Sequence, residues 1–297
     1  MKNREKLTGW LFATFTILVW GSTFIASKKL LTIYTPAQIM LTRFLLAYGA
    51  LLLIRPKKLS LPRKTECLFF LLGLFGYSGY IYLENSALTY TLASNVSIIV
   101  AAAPILTAIL AHFAGLERFR SGMLLGFLVA FAGVVLVVCN GTFVLKLNPL
   151  GDLLALAAAL SWAAYSVLMR RLDGGLDPLL VTRRILFWGI VAALPLVLLE
   201  GKPYPLEALS SPVIVGNFLF LGLIGSCLCY ILWSRAFHYL GVVTTNSFIY
   251  IQPFITIVAA WLFLKEPISP LALVGAALIT AGVVVTQHTP KNNRAGQ

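Results

Sequence analysis

Long apolar runs recur along the whole chain, separated by short polar connections. Crossing a bilayer as an α-helix takes about 20 predominantly apolar residues. Ten segments meet that length: 8–27, 37–54, 67–89, 94–113, 122–140, 150–170, 181–199, 213–235, 243–263 and 270–287. The runs are continuous, which predicts helices. Strands of a membrane barrel would alternate apolar and polar sides over about ten residues. Lys2, Arg4 and Lys6 precede the first run, as in a signal peptide. That run is long, however, and closes on Lys28 and Lys29 without a small-x-small cleavage site, so it reads as a retained span.

Composition agrees with this pattern. Hydrophobic residues make up 59% of the 297 and charged residues 11%, against about 25% charged in a soluble domain. So little polar surface cannot cover a water-soluble globule, and lipid must be part of the solvent. The net charge of +13 does not point to nucleic acid, because the bases sit in short clusters between apolar runs. With the N-terminus inside, 17 of the 23 Lys and Arg fall on cytoplasmic segments, 5 on the opposite side, and Arg43 within a span. Both termini are therefore expected in the cytoplasm, with the chain in the cytoplasmic membrane.

Several kinds of chemistry find no support. Cys67, Cys139, Cys227 and Cys229 lie in apolar stretches, and none has zinc or redox spacing. His112 and His238 have no second ligand at metal spacing, so no metal is expected. No phosphate-binding loop of the Walker type is present, and no nucleophile–base pair stands out. The expectation is a protein without cofactor or enzymatic activity.

The two halves resemble each other. At an offset of 142, Gly9, Trp20, Lys28, Lys29, Leu30 and Pro36 meet Gly151, Trp162, Arg170, Arg171, Leu172 and Pro178. Beyond the 200–212 connection the offset becomes 149. There Gly73, Gly76, Pro104, Thr107, Glu117, Gly126 and Gly133 meet Gly222, Gly225, Pro253, Thr256, Glu266, Gly275 and Gly282. Each copy has five spans, and an odd number makes the second copy start on the opposite side of the membrane. The expected architecture is all-α and integral to the membrane, with ten helices as two inverted five-helix repeats. The first repeat is 1–140, the second 141–290, and 291–297 is a short cytoplasmic tail. Inverted repeats suit alternating access, since two equivalent halves can exchange roles around one central site.

The stretches ALTYTLASNVSIIVAAAPILTAIL (87–110) and GFLVAFAGVVLVV (126–138) carry a resemblance, with Glu117 between them. So do AFHYLGVVTTNSFIYIQPFITIVAAWLFLKE (236–266), GAALITAGVVV (275–285) and WGSTF (20–24). The chain resembles the EamA-type members of the drug/metabolite transporter superfamily over nearly its whole length. The resemblance implies a secondary transporter that moves a small organic solute, an amino acid, metabolite or drug-like molecule, by alternating access and in the export direction. The competing class is a channel or lipid-translocating protein without alternating access.

Candidate residues follow from polar and aromatic groups inside spans. Glu84 is the acid set well within one, and an ionised group there is costly, by at least about 2.5–3.5 kcal/mol. It reads either as a solute-ammonium partner or proton carrier, or as a structural partner of Arg43. Both residues lie about 10 Å below the same membrane face at helical rise, so a hydrogen bond or short water bridge between them is expected. Tyr77, Ile81 and Glu84 share one face of a regular helix, and their repeat mates are Ser226, Tyr230 and Trp233. Asn95, Asn246, Tyr250 and Gln252 either line a cavity or tie helices together. Trp20 and Trp162, with Tyr165, either wall a solute pocket or simply pack. Pro104 and Pro253 each remove a mid-span hydrogen bond and are hinge candidates. The expected cavity lies between the repeats, lined by spans one, three, four, six, eight and nine.

Overall fold

The structure is a computed structural model. It describes residues 2–57, 61–115, 149–172, 175–267 and 270–288, with scattered positions between 125 and 136. Among the described residues the regular structure is all helical, and eight helices are long and apolar enough to cross a membrane.

The first is α1 (Lys2–Leu30) and the second α2 (Pro36–Ile54). The third rod, Arg63–Tyr90, is α3 (Arg63–Leu72), a π-helical stretch (Gly73–Gly79) and α4 (Tyr80–Tyr90) in succession. The fourth is interrupted: α5 (Ala93–Val100), a turn at 101–102, then α6 (Ala103–Phe113). The second half supplies α7 (Pro149–Met169) and α8 (Pro178–Glu200). A further rod joins α9 (Pro212–Leu219), a second π-helical stretch (Phe220–Leu228) and α10 (Cys229–Leu240). Then come α11 (Val242–Asn246), a 3-10 turn (Ser247–Ile251) and α12 (Gln252–Leu264). The last described helix is α13 (Pro270–His288). The expected span 122–140 lies mainly outside the described residues; the positions described within it are helical.

Helices overrun the expected spans where polar residues follow the apolar run. α1 starts at Lys2 and α10 continues to Leu240. Hydropathy marks where lipid ends, whereas backbone hydrogen bonding carries a helix on into the headgroups. Starts are set by local chemistry. Thr35 and Gln38 form a capping box before Pro36. Asp177 caps α8 by accepting from the Leu179 N–H at 3.0 Å, with Pro178 at the first turn. Gly201, at φ 59°, ends that helix in the left-handed region where glycine carries no Cβ penalty.

Packing repeats itself across the molecule. α1 lies against α10 and α12; correspondingly, α7 lies against α4 and α6. α2 packs on the second π-helical stretch, and α8 on the first. α2 and α8 also pack on each other as a long seam. Close approach there depends on small residues: a Cβ on Gly73 would lie 2.7 Å from the Gly189 nitrogen and 2.8 Å from the Ile185 oxygen.

Candidate functional site

The two π-helical stretches, Gly73–Gly79 and Phe220–Leu228, overlap at the repeat offset of 149. A π turn bonds each N–H five residues back and so accommodates an extra residue. The Tyr80 N–H accordingly reaches the Phe75 oxygen, and the Cys229 N–H the Ile224 oxygen. Carbonyls in these stretches accept side-chain donors from other helices. Trp20 Nε1 donates to the Gly225 oxygen at 3.0 Å, the Tyr230 hydroxyl to the Gly76 oxygen at 3.3 Å, and Ser161 Oγ to the Phe75 oxygen at 2.7 Å. Gly76 permits this, because any Cβ there would run into the Tyr165 ring.

These ties gather an aromatic cluster at the middle of the bundle. Trp20 contacts Trp162, Tyr230 and Trp233 with ring centroids 5.4, 5.3 and 4.9 Å away. Tyr80 meets Trp162 at 5.1 Å, and Tyr77 stacks on Tyr230 at 4.1 Å. Beside the cluster is a small cavity of about 20 Å³. α1 gives it Trp20, Thr23 and Phe24; α2 gives Arg43; α4 gives Tyr80, Ile81 and Glu84. Val100, Trp162, Tyr230, Ile249 and Gln252 complete the wall. In this state the space is about that of one water, and its wall is mostly aromatic and aliphatic with a few polar groups.

Of the expected residues, Trp20, Glu84, Trp162, Tyr230 and Gln252 reach this wall, and Arg43 joins them. Tyr77, Tyr165 and Trp233 are fully buried behind it, packed against Tyr230, Trp162 and Trp20 respectively. Asn246 is buried off the wall, and its amide has no hydrogen-bond partner. Asn95 is half-buried, with its Nδ2 donating to Thr91 Oγ1 at 3.4 Å. Tyr250 belongs to a separate small cluster with Ile105 and Ala130. Pro104 and Pro253 each stand in the first turn of a new helical segment, directly after the break in their rod.

Tyr80 was not singled out in the sequence. On an unbroken α-helix from Gly73 to Glu84, Tyr77 shares the Glu84 face. The π stretch alters that register, and Tyr80 takes the wall position while Tyr77 turns inward. Tyr80 stands four residues before Glu84, which is neighbour spacing within α4, and both line the cavity.

Of the expected Arg43–Glu84 contact, a hydrogen bond or a short water bridge, the direct bond is not made. Arg43 donates from Nε to Ser226 Oγ at 2.7 Å, and no hydrogen bond or ion pair runs from it to Glu84. Both ionisable groups face one cavity, at 1% and 2% exposure.

A second polar cluster closes the end of the bundle that carries Lys28. Glu266 accepts from the Ala93 N–H at 3.0 Å, the Ser94 N–H at 3.3 Å and Ser94 Oγ at 3.0 Å, capping α5 from the far half of the chain. Lys28 lies 3.9 Å from the same carboxylate and donates to the Thr91 oxygen. Lys265, at φ 58°, turns the chain so that the Glu266 N–H returns to the Ala260 oxygen. The sequence matched Glu266 to Glu117 but gave it no task, because its partners are backbone groups more than 170 residues away.

Comparison with known proteins places the chain. The model of the EamA-like transporter family matches it twice, at residues 7–139 and 149–287. It is 30% identical to the uncharacterized transporter YyaM of Bacillus subtilis, over 96% of this chain and 95% of that protein. It is 29% identical to a probable terminal-alkyne amino-acid exporter of Streptantibioticus cattleyicolor, over 94% of this chain and 93% of that one. A solved crystal structure superposes with a TM-score of 0.65 over 96% of both chains, at 22% identity, and so shares the fold.

Proposed function

We propose, from the premise that this chain belongs to the EamA-like transporter family, that it is a secondary transporter moving a small organic solute by alternating access. The solute is an amino acid, a metabolite or a drug-like molecule, and its direction is outward. The observation that carries this reading is the mid-bundle cavity, walled by α1, α2, α4 and Val100 from one family-matched half and by Trp162, Tyr230, Ile249 and Gln252 from the other.

The proposed architecture is ten spans in two inverted five-helix repeats, 1–140 and 141–290, followed by the tail 291–297. Its support is the mirrored packing: α1 on α10 and α12 against α7 on α4 and α6. Matched π stretches and matched proline breaks add to it. The charge bias puts the Lys28 end outside, and the Arg55 end and both termini in the cytoplasm, with the chain in the inner membrane. Alternating access then amounts to rocking of the two halves around the cavity, with the breaks before Pro104 and Pro253 as bending points.

The test is counterflow in vesicles reconstituted with the purified full-length chain. Saturable exchange of a labelled solute is expected. A channel-sized conductance without saturation would establish the competing class of channel or lipid-translocating protein instead. Labelling of a cysteine placed at Lys202 from outside, and not of one placed at Lys57, checks the orientation.

A further inference from the structure

The π-helical stretches present two matched carbonyls to two matched tryptophans, and one of the two pairs is bonded. In the repeat register Trp20 corresponds to Trp162, Thr23 to Tyr165, and Gly76 to Gly225. The packing keeps that register: α1 lies on the second π stretch and α7 on the first. A Cβ on Gly225 would lie 3.1 Å from Thr23 Cγ2, and one on Gly76 would run into the Tyr165 ring. Trp20 Nε1 donates to the Gly225 oxygen at 3.0 Å. Trp162 Nε1 is buried and has no hydrogen-bond partner among the described residues. The Gly76 oxygen takes the Tyr230 hydroxyl instead, at 3.3 Å. A buried donor left unpaired is costly and calls for an explanation. The position that corresponds to Tyr230 is Ile81, which has no donor to offer Gly225.

We infer that Trp20 and Trp162 are positioning residues for transport that hold their π-stretch carbonyls one at a time. In this conformation Trp20 holds Gly225 and Trp162 is released. In the conformation open to the other side of the membrane, Trp162 donates to the Gly76 oxygen, Tyr230 gives that oxygen up, and Trp20 lets Gly225 go. The inference rests on the transport reading and on its inverted repeats, since two equivalent halves that exchange roles also exchange their bonds. The two indoles meet edge to face with centroids 5.4 Å apart, so in a close-packed interior neither turns without displacing the other. Tyr230 and Trp162 compete for one acceptor, and each therefore favours a different conformation.

The experiment reads which side of the membrane reaches the cavity. A single cysteine at Val100, with native cysteines removed, is labelled with a membrane-impermeant maleimide in right-side-out and in inside-out vesicles of the full-length protein. Trp20→Phe and Tyr230→Phe each remove a bond made in this conformation, and should shift the ratio of the two labelling rates in one direction. Trp162→Phe removes a bond made in the other conformation and should shift the ratio the opposite way. Each shift should be about fivefold, the factor one net hydrogen bond is worth. Introducing 3-benzothienylalanine at Trp20 or Trp162 keeps the bicyclic ring and removes the N–H alone, so it should act as the phenylalanine variants do, even if one of those fails to fold. Shifts in the same direction from the two tryptophan positions, or no shift from Trp162, overturn the inference. If that happens while counterflow remains saturable, the transport reading stands. A cysteine labelled equally fast from both sides in every variant, with a channel-sized conductance, sinks both.

Discussion

The seam between α2 and α8 and the interrupted rods α5–α6 and α11–α12 are built on opposite principles. The seam is bonded at both its ends. At the Arg55 end, Arg55 pairs with Asp177 at 3.2 Å, and Arg183 donates to the Arg55 and Lys57 oxygens. Next to them Glu66 accepts from Arg184 and, at 3.0 Å, from Trp188. At the opposite end Glu200 accepts from the Ala37 N–H at 3.3 Å, and Gln38 donates to the Lys202 and Pro203 oxygens at 3.0 and 3.1 Å. Thr42 and Tyr204 share a 2.7 Å bond. Burial pushes the Tyr204 phenol above its ordinary range, so it bridges as a neutral hydroxyl. The interrupted rods break beside the cavity, where Val100, Ile249 and Gln252 meet the wall. The contrast separates a seam tied at both its ends from rods whose helical bonding is interrupted beside the cavity.

The largest effect should come from immobilising the bending part. With native cysteines removed, a short bis-maleimide joining cysteines at Lys28 and Glu266 should abolish counterflow, while one joining Thr42 and Tyr204 should leave it unchanged. Equal inhibition by both would erase the distinction drawn here. Next comes the packing of α8 on the first π-helical stretch and α3. Gly73→Val presses a branched side chain onto the Gly189 and Ile185 backbone, and should cost about 3 kcal/mol, at the high end of overpacking penalties. It is read as loss of folded protein in detergent. Glu66→Gln leaves Arg184 without its charge partner and should cost about 1–3 kcal/mol, with transport per folded molecule retained. Smallest is Glu266→Gln. It weakens the α5 cap by about 0.5–2 kcal/mol and should show in cysteine accessibility at the outer end more than in melting temperature.

How far the sequence announced these parts depends on the range of the interactions that make them. Apolar length placed the rods, since each span records its own solvent. Proline placed the breaks, because the missing N–H acts locally. Trp20, Trp162, Tyr230, Glu84 and Gln252 were found as cavity residues, because aromatic and polar groups inside apolar runs stand out. Tyr77 was preferred, since side-chain periodicity assumes regular α-helix and nothing in GLFGYSG declares a π turn; Tyr80 was missed although regular spacing, four residues before Glu84, already points to it. The partner of Arg43 was missed for another reason. Depth along a helix constrains one coordinate only, and Ser226 lies 183 residues away at a bond distance no spacing rule encodes. The seam's contacts with backbone oxygens were equally silent.

The paired π turns also bear on which insertions and deletions the chain can absorb. Elsewhere, removing one residue from a membrane rod rotates every later side chain away from its partners. In Gly73–Gly79 or Phe220–Leu228 the rod already holds a residue more than regular α-helix needs. A single deletion there returns the turn to α-helical bonding, and the carbonyls now served by Tyr230 and Trp20 regain backbone donors. The side chains beyond it keep their register, Tyr80 and Glu84 on the wall among them. These two stretches are thus the places where the rods can lose a residue of length without turning their cavity side chains away.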